Sequence, residues 1–209
     1  MTLTVAEIDA ILRSYELESS PLLCERIRAY VELLLHWNQK ISLTAVEDPE
    51  EIVRYHFAES FLATRACDLT IGRLADVGTG AGFPGLALKI YIPALPVTLI
   101  ESNARKCVFL REVVRTLDLD TVDVVTSRYD EIQGRDKVFD YVCSRALGEI
   151  PKLLSWASMM LARRGLVVLW LGRRGLNEVE NAGRTWRWRS PYPIPQTDGR
   201  FILCGSVSE

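Results

Sequence analysis

Up to about residue 70 the apolar positions recur at helical spacing. Ser20 followed by Pro21 reads as a cap with proline at the first helical position, and Leu23, Ile27, Val31 and Leu34 then return every three or four residues, predicting an amphipathic helix. Asp48-Pro49-Glu50-Glu51 repeats the signal, with Asp48 as cap and Glu51 placed to reach back, ahead of a helix over Ile52–Ala66. No strand pattern precedes Gly72. After it the period changes: strands are expected at Arg73–Val77, Val97–Glu101, Val122–Thr126, Phe139–Cys143 and Leu166–Leu171, alternating with helices near Gly85–Tyr91, Ala104–Leu117, Leu147–Leu161 and Gly175–Ala182. Such alternation implies an α/β fold with a mostly parallel, doubly wound, Rossmann-like sheet. Thr185–Arg189, a turn with Pro191, Pro193 and Pro195, and Phe201–Val207 follow with no long helix between them, so an antiparallel hairpin should close one edge and bring the sheet to seven strands. Residues 1–70 are expected to form a helical extension packed on a core domain of residues 71–209.

Composition narrows the class. With 209 residues, 48% of them apolar, the chain can bury one sizeable core. No apolar run approaches the roughly 18 residues needed to span a bilayer, and MTLTVAEIDA has neither a basic leader nor a hydrophobic stretch, so a soluble cytosolic protein without a membrane partner is expected. Five scattered cysteines without a C-x-x-C pair suggest neither a disulfide framework nor a metal site. Nothing in the pattern calls for a second copy, and a monomer is expected. The net charge of −2 argues against gripping nucleic acid with the whole surface. Yet from Met160 onward eight arginines face four acidic residues, so the C-terminal quarter is positive: a patch that collects phosphates, or a solvated basic face.

The stretch LADVGTGAGFPGLAL concentrates the candidate chemistry. Gly80-x-Gly82-x-x-Gly85 matches the dinucleotide fingerprint, with Glu101 about twenty residues on, where a ribose-binding acid belongs. The same residues also read as Asp76-x-Gly78-x-Gly80-x-Gly82. An ionised Asp76 within ~4 Å of a pyrophosphate would cost on the order of 4 kcal/mol at an effective dielectric near 20. S-adenosylmethionine carries no phosphate but a sulfonium and an ammonium, which an acid attracts. On this reading the glycines bring backbone close to the ligand, Asp76 selects a cationic one, and Glu101 accepts from the ribose hydroxyls. The bland alternative is that Asp76 caps the turn that follows. Asp130, after Ser127-Arg128-Tyr129, sits where an adenine amino group arrives in this fold, or else caps a helix.

Together with these residues, HWNQKISLTAV (His36–Val46), DVGTGAGFPG (Asp76–Gly85) and CSRAL (Cys143–Leu147) resemble the GidB/RsmG family, over roughly Leu34 to Leu171. The resemblance implies a class I methyltransferase fold, S-adenosyl-L-methionine as cofactor, and methylation of guanine N7 in small-subunit ribosomal RNA, as free RNA or in the subunit. It also implies that Gly78, Phe83, the Tyr129-Asp130 pair and Arg145 hold the cofactor. The chain departs from the family pattern at Ser42-Leu43-Thr44, where Asn-Leu-Thr is usual, and at His56-x-x-Glu59-Ser60, where His-x-x-Asp-Ser is usual. It departs again at Leu171-Gly172-Arg173, where Lys-Gly is favoured and Arg173 would substitute from a shifted position.

Guanine N7 already holds an in-plane lone pair, so its methylation needs no general base, and positioning alone supplies up to ~7–11 kcal/mol in favourable cases. Consistent with this, no Asn/Asp-Pro-Pro-aromatic motif follows the fourth strand. Arg145 is the leading catalytic candidate, holding the cofactor carboxylate, O6 or a phosphate; its alternative is an ion pair with Asp130 or Glu149. Cys143 offers a rival chemistry, addition to pyrimidine C6 for C5 methylation, against inert packing in an apolar strand. A further rival keeps the fold as a non-catalytic RNA- or ribosome-binding module. In RTWRWRS, Trp186 and Trp188 share one strand face and are expected in the core rather than stacked on bases. His56 is expected as a hydrogen-bonded interface residue, while Trp37-Asn38 either lines the cleft or packs a helix end.

Overall fold

The computed structural model describes residues 3–132, 138–145, 148–180 and 185–208. Helices α1 (Val5–Ser14) and α2 (Pro21–Asn38) come first, and Ser20 caps α2 by accepting the Leu23 amide. Asp48 likewise accepts the Glu51 amide. The expected helix over Ile52–Ala66 is one helical run that passes from α3 (Pro49–Ile52) through a π-helical segment (Val53–Ala58) into α4 (Glu59–Phe61), turns at Leu62 and continues as α5 (Ala63–Ala66). One wide turn in an otherwise helical run leaves the apolar spacing nearly unchanged, so periodicity does not reveal it.

Next come β1 (Leu74–Val77), α6 (Gly85–Tyr91), β2 (Val97–Glu101), α7 (Ala104–Thr116), β3 (Val122–Thr126) and a 3-10 turn at Tyr129–Glu131. They are followed by β4 (Phe139–Arg145), α8 (Ile150–Met160), β5 (Leu161–Gly172), α9 (Arg173–Glu180), β6 (Trp186–Trp188), β7 (Tyr192–Pro193) and β8 (Arg200–Val207). The sheet runs β3-β2-β1-β4-β5-β8-β6, parallel through β5 and antiparallel at β8 and β6. Among the described residues the sheet has eight strands rather than seven, because the proline turn contributes the two-residue β7 to β8. β5 begins earlier than expected: Leu161 pairs with Phe139 before a register shift brings Leu166 opposite Tyr141. The expected α8 start at Leu147 and α9 end at Ala182 lie outside the described residues.

Two apolar layers flank the sheet. On one side α1, α2, the π segment, α6 and α7 bury Ile27, Leu34, Phe57, Leu86 and Phe109; on the other α8 and α9 bury Leu154, Trp156 and Val179. Trp186 is buried and stacks on Trp188 at 5.5 Å, while Arg187 is exposed, so the tryptophan pair belongs to the core. The register places Arg200 opposite Gly172, at the C-terminal end of the parallel strands, and Arg187 opposite Ser206, itself opposite Leu166, at the other end. The positive C-terminal quarter is thus divided between both ends of the sheet.

Phe109 joins α7 to α2, with its ring 6.2 Å from Tyr30 and 5.9 Å from Trp37 and no exposure. Phe109→Ala is expected to cost about 3–5 kcal/mol, read as a lowered urea midpoint at unchanged m-value.

Candidate active site

β1 delivers the chain to a turn in which Gly78, Gly80 and Gly82 have φ of 67°, 59° and 91°, a region open to glycine at little cost. Their surroundings differ. A Cβ at Gly82 would lie 2.1 Å from the Tyr30 hydroxyl, which donates to the Ala81 carbonyl at 2.6 Å. A Cβ at Gly85 would lie 2.7 Å from Asp76 Oδ2, whereas at Gly80 nothing comes closer than 3.9 Å. Gly82 and Gly85 therefore serve internal packing, and Gly80 leaves open space over the turn.

Six of the turn's amides are already engaged. Gly78 and Thr79 donate to the Ile100 carbonyl, Gly82 and Phe83 to the Thr79 carbonyl, Gly80 to Glu101 Oε2 at 3.0 Å, and Gly85 to Asp76 Oδ2 at 2.8 Å. A pyrophosphate needs such N–H groups free, and the amides of the fingerprint's own glycines, Gly80, Gly82 and Gly85, each already have an acceptor. Here the expectation for Asp76 is corrected. Its carboxylate is fully buried beneath the turn and takes the Thr79 hydroxyl at 2.5 Å as well as the Gly85 amide, so it shapes the loop instead of facing a ligand. The charge at the mouth belongs to Glu101. Burial raises the Asp76 carboxyl to about 6 against those two hydrogen bonds and the adjacent Cys143 thiol, and its Oδ1 is sealed from solvent.

Two clefts open on either side of Gly78 at the C-terminal edge of the sheet. The first, about 210 Å³, is lined by Gly78, Glu101, Ser102, Ser127, Arg128 and Tyr129 among others. Glu101 is held by the Gly80 amide on one oxygen and the Asn103 amide, at 2.8 Å, on the other. Each oxygen keeps a second lone pair for a ligand hydroxyl. Tyr129 forms part of the wall, set edge-on to Trp156 at 5.7 Å. Asp130 does not line this cleft: Arg128 grips it in bidentate fashion at 3.0 and 2.9 Å and Lys152 at 2.6 Å, holding its carboxyl well below the usual range. Nor does it cap a helix, since the 3-10 turn at Tyr129–Glu131 has no side-chain cap. Two cations within reach win over both expected roles.

The second cleft, about 270 Å³, brings Leu43, Thr44, His56 and Phe83 together with the Gly78–Ala81 backbone and Arg145. Asn38 shapes its rim by accepting the Leu43 and Thr44 amides and donating to the Thr44 carbonyl, while Trp37 packs on Phe109. His56 stacks on Phe83 at 4.7 Å and shares a 2.9 Å hydrogen bond with the Thr44 hydroxyl. Burial, then Arg145 and Arg200, pull its pKa down to about 3. Arg145 is not paired with Asp130 or Glu149. Its Nη1 donates to the Tyr55 carbonyl at 2.6 Å, and its Nη2 lies 3.6 Å from Glu59, a carboxylate only 1% exposed that also pairs with Arg200. Burial lowers the Arg145 pKa to about 10, so it stays charged at neutral pH. Cys143 is fully buried, and burial with the neighbouring Asp76 pushes its thiol far above its ordinary value. Its companions Ala146 and Leu147 in CSRAL lie outside the described residues.

Sequence reasoning did not single out Tyr30 or Arg200, and it met Glu59 only as a departure from a pattern. The available signal was a glutamate within an apolar helical stretch, Phe57-Ala58-Glu59-Ser60-Phe61-Leu62.

A glycine turn after β1, an acid ending β2 and clefts at the C-terminal edge of this sheet define a class I, S-adenosylmethionine-dependent methyltransferase. The fold is similar to that of a solved SAM-dependent methyltransferase from Aquifex aeolicus, with a TM-score of 0.62 and 18% identity, over 77% of this chain and 94% of that one. Residues 23–194 match the GidB model, described as rRNA small subunit methyltransferase G, and the chain belongs to that family. It is 33% identical over 156 residues to the ribosomal RNA small subunit methyltransferase G of Mycoplasma capricolum, covering 75% of this chain and 68% of that one. To the protein of the same name from Xylella fastidiosa it is 35% identical over 177 residues, covering 84% and 82%.

The sealed Asp76 carries a pH signature. Its folded pKa of about 6 lies above its ordinary 3.8, so its contribution is fully present below pH 3.8 and is lost as pH rises through 6. The stability difference between the wild type and Asp76→Asn is expected to shift towards the variant by about 2 kcal/mol between pH 4 and pH 7 in urea titrations, and a pH-independent difference would contradict it.

Proposed function

We propose that this protein transfers the methyl group of S-adenosylmethionine to N7 of a guanosine in small-subunit ribosomal RNA, acting in the cytoplasm on the RNA or on the subunit. The observation that carries this reading is that, among the described residues lining the second cleft, none is fit to remove a proton or form a covalent bond. His56 is too weak a base at a pKa of about 3 and is bound to Thr44, and Cys143 is sealed with its thiol protonated. An acceptor that brings its own lone pair suits such a site; pyrimidine C5, which needs a thiolate, does not.

The residues fit the cofactor. When bound, it supplies an electrophilic methyl group on a sulfonium. Glu101 would accept from the ribose hydroxyls and supply negative charge near the sulfonium. Tyr129 would wall the adenine side, Gly78 and Gly80 would admit the chain joining the two clefts, and Phe83 would flank the methionyl end. Asp76 and Asp130 work from behind these surfaces, the one through the turn and the other through Arg128 and Lys152. Arg145, tethered on one side by Tyr55 and Glu59, keeps donors for the cofactor carboxylate or guanine O6 and leaves the N7 lone pair open. Catalysis is then alignment of N7, methyl carbon and sulfur in a site that holds them in line.

Small subunits from cells lacking this protein, incubated with it and labelled S-adenosylmethionine, are expected to gain one 7-methylguanosine by nucleoside mass spectrometry. Arg145→Ala should slow transfer by about a hundredfold or more, and Cys143→Ala should stay within about threefold of wild type. Because His56 is held at about 3 and Arg145 at about 10, the rate should be flat from pH 7 to 9. Label appearing in another nucleoside, or abolished by Cys143→Ala, would refute the assignment.

A further inference from the structure

We propose that Glu59 is a positioning residue that sets the guanidinium of Arg145, with Arg200 steadying the carboxylate from its other side; this rests on the role given to Arg145 above. Glu59 begins α4, just past the π-helical segment, and is 1% exposed. Its Oε2 faces Arg145 Nη2 at 3.6 Å and its Oε1 pairs with Arg200 Nη2. Its own carbonyl accepts Trp170 Nε1 at 2.9 Å, which anchors the glutamate backbone to β5. Arg145 is thus fixed at two points, Glu59 and the Tyr55 carbonyl, both on the N-terminal helical stretch. Arg200 also stacks over the Tyr55 ring, 5.3 Å from its centroid.

A buried carboxylate without partners would be neutralised, and one with two guanidinium partners stays ionised. The arrangement joins three distant parts of the chain, residues 55–59, the end of β4 and the start of β8, around one charge. Glu59 does not line either cleft, and its effect on the reaction runs through Arg145.

The test uses single-turnover methyl transfer by the full-length protein. Glu59→Gln keeps the shape and removes the charge, and is expected to slow transfer about tenfold or more, while Glu59→Asp restores it to within about threefold of wild type. In an Arg145→Ala background, Glu59→Gln should change nothing further, because the interaction it acts through has gone. Unchanged rates in Glu59→Gln, or an equal loss in both backgrounds, would overturn the proposal, since a purely structural glutamate acts without regard to Arg145. A second measurement needs no variant of Glu59: guanidinium ¹⁵N resonances of Arg145 in the wild type should show hindered rotation, and freely averaged signals would equally overturn it. Absence of cofactor binding by the wild type would instead count against the functional reading, with the guanidinium signals still deciding the positioning role.

Discussion

A carboxylate sealed under a glycine turn is the constraint on which the site depends. Asp76 Oδ2 ties the Thr79 hydroxyl to the Gly85 amide, and so joins the end of β1 to the first residue of α6. Glu101 does the same one strand over by taking the Gly80 amide. With these donors consumed internally, the turn has lost the feature by which related loops hold phosphate, and a carboxylate stands at its mouth. Selection for a cationic, phosphate-free cofactor follows from where the N–H groups point as much as from charge.

The N-terminal helices complete the turn from the other side. The Tyr30 hydroxyl occupies the space a Cβ at Gly82 would need and bonds the Ala81 carbonyl, while its ring stacks on Phe83 at 5.3 Å. Asn38 presents Leu43 and Thr44 to the second cleft, and the π-helical segment presents His56 and the Tyr55 carbonyl. Residues 3–66 therefore do more than cover a sheet face. They supply one wall of the site and the anchor points of its arginine. Buried ion pairs are weak sources of net stability, but removing one partner alone costs about 3–5 kcal/mol, so such an arrangement is better understood as fixing geometry.

Charge is distributed accordingly. Inside the clefts Glu101 and Arg145 are each held by partners, while the described arginines of the C-terminal quarter divide between the two ends of the sheet. Arg173 and Arg200 lie at the site end, where Arg173 pairs with Asp198 at 3.2 Å.

By itself, the sequence determined the alternation of strands and helices, the parallel sheet with its antiparallel edge, the caps at Ser20 and Asp48, and the position of the glycine turn. These depend on local periodicity, proline and glycine chemistry, and short-range hydrogen bonding, all of which are written in neighbouring residues. Only the tertiary structure decided that Asp76 faces inward, that Asp130 is held by Arg128 and Lys152, that the Ile52–Ala66 helix passes through a π turn, and that Arg145 answers to Glu59. The first two depend on which donors reach a carboxylate, and the last on two side chains 86 residues apart meeting in the interior. A carboxylate's role is set by the donors that surround it, and no spacing along the chain records them.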